Sequence, residues 1–178
     1  MTRLRFFGRL GGLGMIWKMS DQIEEETISM EINGIAHIML TVNRFEQCVP
    51  FYESLLGFLG LREVFKGDNF LYYVGGRTGI GIQRCEEQHK NEPFIQTRVG
   101  LHHVCFRSRS REDVDALHDF LVENNASVIQ PPQEGAWAPG YYSLLFEDPD
   151  GIRLEINHVP GKGLLEEGVK LDPGPDYD

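Results

Sequence analysis

The sequence predicts an α+β fold made of two tandem βαβββ modules, because one pattern of strand, helix and strands occurs twice. Residues 100–106 repeat the pattern of residues 34–40, and this repeat places His103 on His37 at an offset of 66 residues. An apolar helical stripe follows each copy at the same offset, and a glycine-led strand closes each module. Self-similarity at a fixed offset is the signature of a duplicated supersecondary unit.

The first module contains the predicted elements in order. Residues 35–42 form an apolar run that is typical of a buried strand. A helix follows, with large side chains at helical spacing: Phe51, Tyr52, Leu55 and Leu56. Three short strands are predicted over residues 61–66, 70–74 and 78–85, because glycine-containing turns separate these runs.

The second module repeats this order. Ser110 is predicted as the N-cap of its helix, with Asp113 at the third helical position. The apolar stripe of this helix consists of Val114, Leu117, Phe120 and Leu121. Strands are predicted over residues 126–130, 141–147 and 152–158, and residues 131–140 form an insertion between the first two.

The last strands of the two modules align through their leading glycines. Residues 79–83 align with residues 151–155 at an offset of 72, so Gln83 falls on Glu155. Apolar residues alternate with polar ones after the Asp-Pro-Asp-Gly turn at 148–151, which places Glu155 opposite the aliphatic stripe. A carboxylate on a covered sheet face needs a metal ion or an arginine beside it, whereas on an open face it is simply solvated.

The domain boundaries follow from composition. Residues 1–20 carry four basic residues and no acidic residue, unlike the rest of the chain. We therefore interpret residues 1–32 as a flexible arm or as the product of an upstream start codon; an organelle-targeting leader is the other possibility. Module 1 spans residues 33–85, a linker spans 86–98, module 2 spans 99–158, and residues 159–178 are predicted to be a flexible tail.

Charge and cysteine content narrow the function. The net charge of -10 is the wrong sign for nucleic acid or an anionic membrane, so neither is expected as a partner. The three cysteines form no CxxC motif and are odd in number, which favours a reducing compartment, and we predict a cytoplasmic protein. A small molecule is the expected substrate.

Four residues at matched repeat positions are candidate metal ligands. If the modules close into one concave sheet, His37, His103, Gln83 and Glu155 converge on one point. This mixed nitrogen and oxygen set suits a divalent ion such as Zn, Ni, Co, Mn or Fe(II), with open positions for substrate. Taken singly, each histidine could instead be a hydrogen-bonded core residue, and Gln83 could point to solvent. Strand alternation separates His102 from His103, so His102 is interpreted as a structural or supporting residue.

The chain resembles the vicinal oxygen chelate superfamily, which comprises glyoxalases, bleomycin-resistance proteins and extradiol dioxygenases, over residues 33–158. The resemblance is carried by residues 34–37, 51–58, 100–106 and 146–155. It implies a cup-shaped mixed β-sheet built from the paired modules, a divalent metal ion inside the cup, and the ligand set His37, Gln83, His103 and Glu155. It also implies substrates that chelate the ion through neighbouring oxygens.

The branches of this superfamily differ at the candidate ligands. Glyoxalases typically have a carboxylate at the position of Gln83, but they share the glutamate at Glu155. An extradiol dioxygenase would use His37, His103 and Glu155 on Fe(II), yet its motif needs a tyrosine where Leu145 stands and a histidine near residues 136–138. A dioxygenase is therefore disfavoured.

The expected function is that of a metal-dependent lyase or isomerase acting on a small α-hydroxycarbonyl or thiol adduct. Glu155 would move a proton while the ion stabilises the enediolate. Trp137, Tyr142 and Arg153 are predicted to bind substrate. Trp137, Tyr141 and Tyr142 are expected to form an aromatic wall or lid over the cup, with core packing of these rings as the alternative, and a surface role is the alternative for Arg153. The alternatives are a binding protein for antibiotic resistance, which performs no chemistry, and the dioxygenase. A homodimer is possible, with the cup closing within one chain or between two.

Overall fold

The first module consists of five elements in the predicted order, and the computed structural model describes residues 32–171. The elements are β1 (His37–Val42), α1 (Phe45–Phe58), β2 (Arg62–Lys66), β3 (Phe70–Gly75) and β4 (Thr78–Arg84). The strands form one sheet in the order β1-β4-β3-β2, with β1 parallel to β4. The parallel pair is joined through α1, as a crossover connection requires.

The second module repeats this arrangement. Its elements are β5 (Val104–Arg107), α2 (Arg111–Glu123), β6 (Ser127–Glu134), β7 (Tyr142–Glu147) and β8 (Arg153–His158). The sheet order is β5-β8-β7-β6, with β5 parallel to β8. The predicted fold class, two βαβββ modules with mixed sheets, is confirmed, and the described strands form two separate four-stranded sheets.

In the second module the predicted helix start is confirmed, whereas one strand is longer than predicted. Ser110 and Asp113 form a reciprocal capping box at the start of α2, with hydrogen bonds of 3.2 and 3.0 Å. Strand β6 extends to Glu134, past the predicted end at residue 130. It includes Pro131 and Pro132 because β6 is the edge strand, where a missing N–H costs no ladder bond.

The modules share one hydrophobic core, which lies on the helix side of both sheets. Leu55 and Leu56 of α1 and Leu117 and Leu121 of α2 are fully buried in it. The Tyr52 hydroxyl of module 1 donates to the Asp148 carboxylate of module 2 at 2.8 Å. Each sheet therefore has one face covered by its helix and the shared core, and one helix-free face.

The helix-free faces are open. On the first sheet, His37 and Thr41 are exposed and Met39 is 44% exposed. On the second sheet, Cys105 and Ile129 are exposed. Both faces therefore present side chains to solvent in the single chain, including apolar ones.

The ends of the chain differ in how far the structure describes them. The predicted arm at residues 1–32 lies outside the described residues except for Ile32. The described residues from Gly34 onward belong to one compact unit. Residues 159–171, which are part of the predicted flexible tail, contain a 3-10 turn at Gly163–Leu165. Among the described residues, no helix is long and apolar enough to span a membrane.

Candidate metal and acid-base site

His103 and Glu155 meet on the helix-free face of the second sheet. His103 immediately precedes β5, and Glu155 lies in β8 beside Cys105 of the parallel strand β5. This register brings the His103 Nε2 to 3.2 Å from the Glu155 Oε2. The carboxylate side chain is only 12% exposed, whereas the imidazole is 35% exposed. A nearly buried carboxylate thus has an accessible nitrogen ligand beside it.

Tyr141 holds the second oxygen of the same carboxylate. Its hydroxyl donates to the Glu155 Oε1 at 2.5 Å. Burial, together with the neighbouring carboxylate, raises the pKa of Tyr141, although a hydrogen bond with Asn157 opposes the shift. The phenol therefore keeps its proton over the ordinary working range of pH and acts as a hydrogen-bond donor.

His102 orients the ring of His103. The two Nδ1 atoms lie 2.7 Å apart, and Gln96 Nε2 lies 3.3 Å from the His102 Nδ1. One ring must donate to the other across such a contact, so the tautomers of the two rings are coupled. When the His103 Nδ1 carries the proton, its Nε2 offers a lone pair toward Glu155, and this is how supporting residues orient metal-binding histidines.

The other two predicted ligands lie on the first sheet, apart from each other. His37 pairs with Gly79 across β1 and β4, whereas Gln83 pairs with Thr41, four residues further along. Four residues of strand span about 13 Å. Within residues 32–171, no group of three or more His, Cys, Asp or Glu side chains is arranged to hold a metal ion. The single chain brings together His103 and Glu155 and leaves His37 and Gln83 elsewhere.

The strand registers correct the alignment that paired Gln83 with Glu155. Ile38 pairs with Ile80, and its repeat partner Val104 pairs with Leu154. The counterpart of Glu155 is therefore Gly81, and Gln83 corresponds to Asn157. A side chain at Gly81 would meet the thioether of Met39 and the Phe70 ring, whose Cε2 lies 3.1 Å from the Cβ position. The first module has no carboxylate donor at the position equivalent to Glu155.

The three predicted substrate residues have different surroundings. Tyr142 lies on the helix side of its sheet, where its hydroxyl donates to Asp115 at 2.7 Å and its ring stacks under Arg111. The prediction that Tyr142 contacts substrate is therefore corrected, because Tyr142 faces the helix. Its neighbour Tyr141 points to the other face and contacts Glu155. Arg153 stays on the Glu155 face and forms a 2.8 Å ion pair with Glu147.

Trp137 lies beside Tyr141. Both residues line a cleft between the second sheet and residues 159–171. Among the predicted substrate-binding residues, Trp137 is the one that lines this cleft. The aromatic side chains next to the candidate site are therefore those of Trp137 and Tyr141.

His103 and Glu155 fit the donor requirements of a divalent ion. An imidazole nitrogen and a carboxylate oxygen are ligands for Zn, Mn, Fe and related ions, and the ring-orienting contact from His102 is typical of such sites. Two protein donors are fewer than the three that catalytic zinc sites commonly have. A further donor must come from outside this pair.

The structure defines a protein of duplicated βαβββ modules that carries an imidazole-carboxylate pair on an open sheet face. The chain belongs to the Glyoxalase/Bleomycin resistance protein/Dioxygenase superfamily, whose family model matches residues 34–156. The resemblance found in the sequence is thereby confirmed.

Relatives within this family have several kinds of name. The chain is 28% identical to virulence protein STM3117 of Salmonella typhimurium, over 74% of this chain and 88% of that protein. It is 27% identical to the metallothiol transferase FosB of Staphylococcus epidermidis, over 77% of this chain and 89% of that protein. A solved glyoxylase/bleomycin resistance protein/dioxygenase domain from Frankia is similar with a TM-score of 0.58 and 28% identity, covering 72% of this chain and 98% of that one.

Proposed function

We propose that the protein is a divalent-metal-dependent enzyme that acts on a small molecule with neighbouring oxygens, as a glyoxalase-like lyase or isomerase. The observation that carries the proposal is the cluster of His103, Glu155 and Tyr141, which combines a metal-binding pair with a proton donor on one carboxylate. The ion is Zn, Ni, Co, Mn or Fe(II). When bound, it supplies Lewis acidity that makes a neighbouring C–H bond of the substrate more acidic.

The chain's own residues then have separate tasks. The His103 Nε2 and the Glu155 Oε2 would hold the ion, and His102 would keep the His103 ring in the tautomer that offers this nitrogen. Glu155 accepts the substrate proton and returns it. The Tyr141 hydroxyl, bonded to the Glu155 Oε1, stabilises the carboxylate and holds its orientation between the two transfers.

The missing donor is His37 of a second copy in a homodimer. His37 is exposed on the open face of the first sheet, and the His103-Glu155 pair lies on the open face of the second. Apolar residues on both open faces, among them Met39 and Ile129, favour burial by a partner surface. A two-fold dimer that places each first sheet over the other copy's second sheet creates two identical sites.

Complementation tests this arrangement. We expect the variants His37→Ala and His103→Ala to be inactive alone. When they are unfolded and refolded together at equal amounts, about one quarter of the sites regain both histidines in a two-fold dimer. Activity that returns on co-refolding supports the shared site, and a mixture as inactive as its components contradicts it.

A second candidate reaction is transfer of a thiol to a small electrophile. It is favoured by Gly81, which leaves three protein donors in place of four and so leaves more coordination positions open. Several relatives are named metallothiol transferase, including the protein of Staphylococcus epidermidis. The pure binding protein, in contrast, has no use for the oriented His103-Glu155 pair.

The reaction class is tested on protein stripped with a chelator and reloaded with each candidate ion. A panel of α-ketoaldehyde-thiol adducts in deuterated water reports lyase or isomerase activity as product formation with deuterium incorporated at carbon. A parallel panel of thiols with epoxides reports transfer as loss of free thiol. Metal-dependent turnover of the adducts supports the leading proposal, thiol consumption alone moves the assignment to transfer, and inactivity of every loaded form on both panels contradicts both.

A further inference from the structure

A cleft of about 390 Å³ lies next to the candidate site, between the second sheet and residues 159–171. We call it the tail cleft and define it by Arg107, Trp137, Tyr141, Lys162, Leu164 and Leu165. Its volume is within the range of roughly 300–1,000 Å³ that is usual for small-molecule pockets.

The tail side of the cleft is apolar and exposed. Leu165 is 85% exposed and Leu164 is 46% exposed, although both flank a concave surface walled by the Trp137 ring. Exposed leucines beside an aromatic ring gain free energy when a ligand covers them, because apolar surface leaves water. The cleft therefore favours a ligand with an apolar body.

Two cations flank the same cleft. Among residues 32–171, neither the Arg107 guanidinium nor the Lys162 ammonium forms an ion pair, although the Lys162 backbone N–H donates to the Glu166 carboxylate at 2.9 Å. The chain as a whole has a net charge of -10, so two cations without ion pairs at one cleft differ from the negative average charge of the protein. They complement an anionic group on the ligand.

Tyr141 joins the cleft to the candidate site. Its ring lines the cleft, and its hydroxyl bonds the Glu155 carboxylate. A molecule that occupies the cleft thus has one end next to the pair of His103 and Glu155. The cleft and the acid-base site are adjacent parts of one binding surface.

We infer that the tail cleft is the specificity subsite of the enzyme and that it binds organic anions with an apolar chain, whose acidic group pairs with Arg107 and Lys162. The inference rests on the proposed function in one respect, because it takes the molecule bound in the cleft to be the substrate of the His103-Glu155 site. The substrate class is therefore a hydrophobic carboxylic acid whose reacting oxygens lie at the opposite end of the molecule from the acidic group.

Tryptophan fluorescence measures binding to this cleft without any metal ion. The chain has two tryptophans, Trp17 and Trp137, so the variant Trp17→Phe makes Trp137 the sole reporter. The probes are propanoate, pentanoate and heptanoate, with 1-heptanol as the neutral comparison. Chelator-treated protein is used, so a failed metal site leaves this result intact, and a failed titration leaves the metal site intact.

We expect the Kd for the carboxylates to fall roughly fourfold for each added methylene, up to the length that fills the cleft. Heptanoate should bind more tightly than 1-heptanol. The double variant Arg107→Gln with Lys162→Gln should lose this preference and keep the dependence on length, whereas Leu165→Asp should lose the dependence on length. Lys90→Gln, which alters an exposed lysine paired with Glu87, is the matched control and should behave as the parent.

The inference is overturned if Trp137 does not respond to any probe, or if 1-heptanol binds as tightly as heptanoate. It is equally overturned if the charge variant keeps the preference for the acid, or if Leu165→Asp keeps the dependence on length. Leu165 is largely exposed, so its variant should fold, and Leu164→Asp provides a second test of the same wall. Chemical denaturation verifies that each variant is folded.

Discussion

The two modules have the same topology but present different chemistry on their helix-free faces. In the second module that face carries His103 and Glu155, held 3.2 Å apart. In the first module His37 is the counterpart of His103, but the counterpart of Glu155 is Gly81, and the side chains of Met39 and Phe70 occupy the space above it. The Tyr72 side chain covers Gly79 in the same way. The duplication has produced one face with a pair of candidate metal donors and one face packed with apolar and aromatic groups.

This difference indicates that the equivalent strands of the two modules have different roles. Glycines at 79 and 81 let large neighbouring side chains lie flat on the first sheet, which then serves as a wall. His37, at the start of β1, is a candidate metal ligand on this first sheet. In the proposed reaction the second sheet provides the reacting groups, and Tyr141 and His102 support them. The following predictions alter one module at a time, from the largest expected effect to the smallest.

Removing the charge of Glu155, in the second module, should have the largest effect on catalytic activity. For Glu155→Gln we expect a loss of about a hundredfold or more in kcat/KM, because the variant cannot accept the substrate proton. Steady-state kinetics on the active substrate of the panel measures the loss. Glu123→Gln, at the exposed end of α2, is the control and should keep parental kinetics. A Glu155→Gln enzyme with parental kcat/KM would contradict the role assigned to this carboxylate.

Removing the ring-orienting contact should weaken metal binding with a smaller effect. For His102→Leu we expect metal affinity to fall roughly 10–100-fold, as is usual when a residue that orients a metal-binding histidine is lost. His102→Asn keeps a hydrogen-bonding group and should recover part of the affinity. Competition with a coloured chelator measures the affinity, and His89→Leu in the linker is the control. Unchanged affinity in His102→Leu would refute the orienting role.

Filling the glycines of the first module should cost stability. For Gly79→Ala we expect a loss of roughly 1–3 kcal/mol in the free energy of unfolding, because the new methyl group collides with the Tyr72 hydroxyl. Gly81→Ala should cost less, since the flexible Met39 thioether can move aside. Gly57→Ala in α1 meets nothing within 4 Å and should be neutral or stabilising. Urea denaturation ranks the three, and a Gly79→Ala cost no greater than that of Gly81→Ala would contradict the packing described for Tyr72.

The turn before β8 should give a dependence of stability on pH through Asp148. Burial raises the pKa of Asp148 from 3.8 to about 6, against hydrogen bonds from Tyr52 and from the backbone. The folded state therefore binds this proton more tightly than the unfolded chain. Its contribution is fully present below about pH 4 and is lost as pH rises through about 6.

Comparison with Asp148→Asn isolates this contribution. The free energy of unfolding of the parent minus that of the variant should grow by roughly 1–2 kcal/mol as pH falls across this range. Urea denaturation at several pH values measures the difference. A difference that stays constant, or that shrinks at low pH, would show that the folded state does not raise this pKa.

The architecture could be predicted from the sequence because short local patterns reveal the duplication. The repeat at residues 34–40 and 100–106, and the capping box at Ser110 and Asp113, each depend on neighbours in the chain. Within the site, strand alternation predicted that Glu155 lies opposite the aliphatic stripe of its strand and that His103 is separated from His102. These features need no knowledge of how distant strands pair.

The remaining parts of the site depend on strand pairing, which the sequence does not encode locally. Aligning Gly79 with Gly151 shifted the last strand by two residues, so Gln83 was matched with Glu155 in place of Gly81. Likewise, strand alternation alone does not fix where a strand begins after a long insertion. For this reason Tyr142 was predicted to bind substrate, whereas Tyr141 contacts Glu155. The role of His37 depends on a second chain, so it stays a prediction.

The most direct test of the account is calorimetric titration of chelator-treated protein with Zn(II) and Mn(II). We predict one ion per chain for the parent, and loss of that binding in both Glu155→Gln and His103→Leu, while Glu123→Gln binds as the parent does. Parental protein that binds neither ion, or variants that bind as tightly as the parent, would contradict the claim that His103 and Glu155 form a metal site.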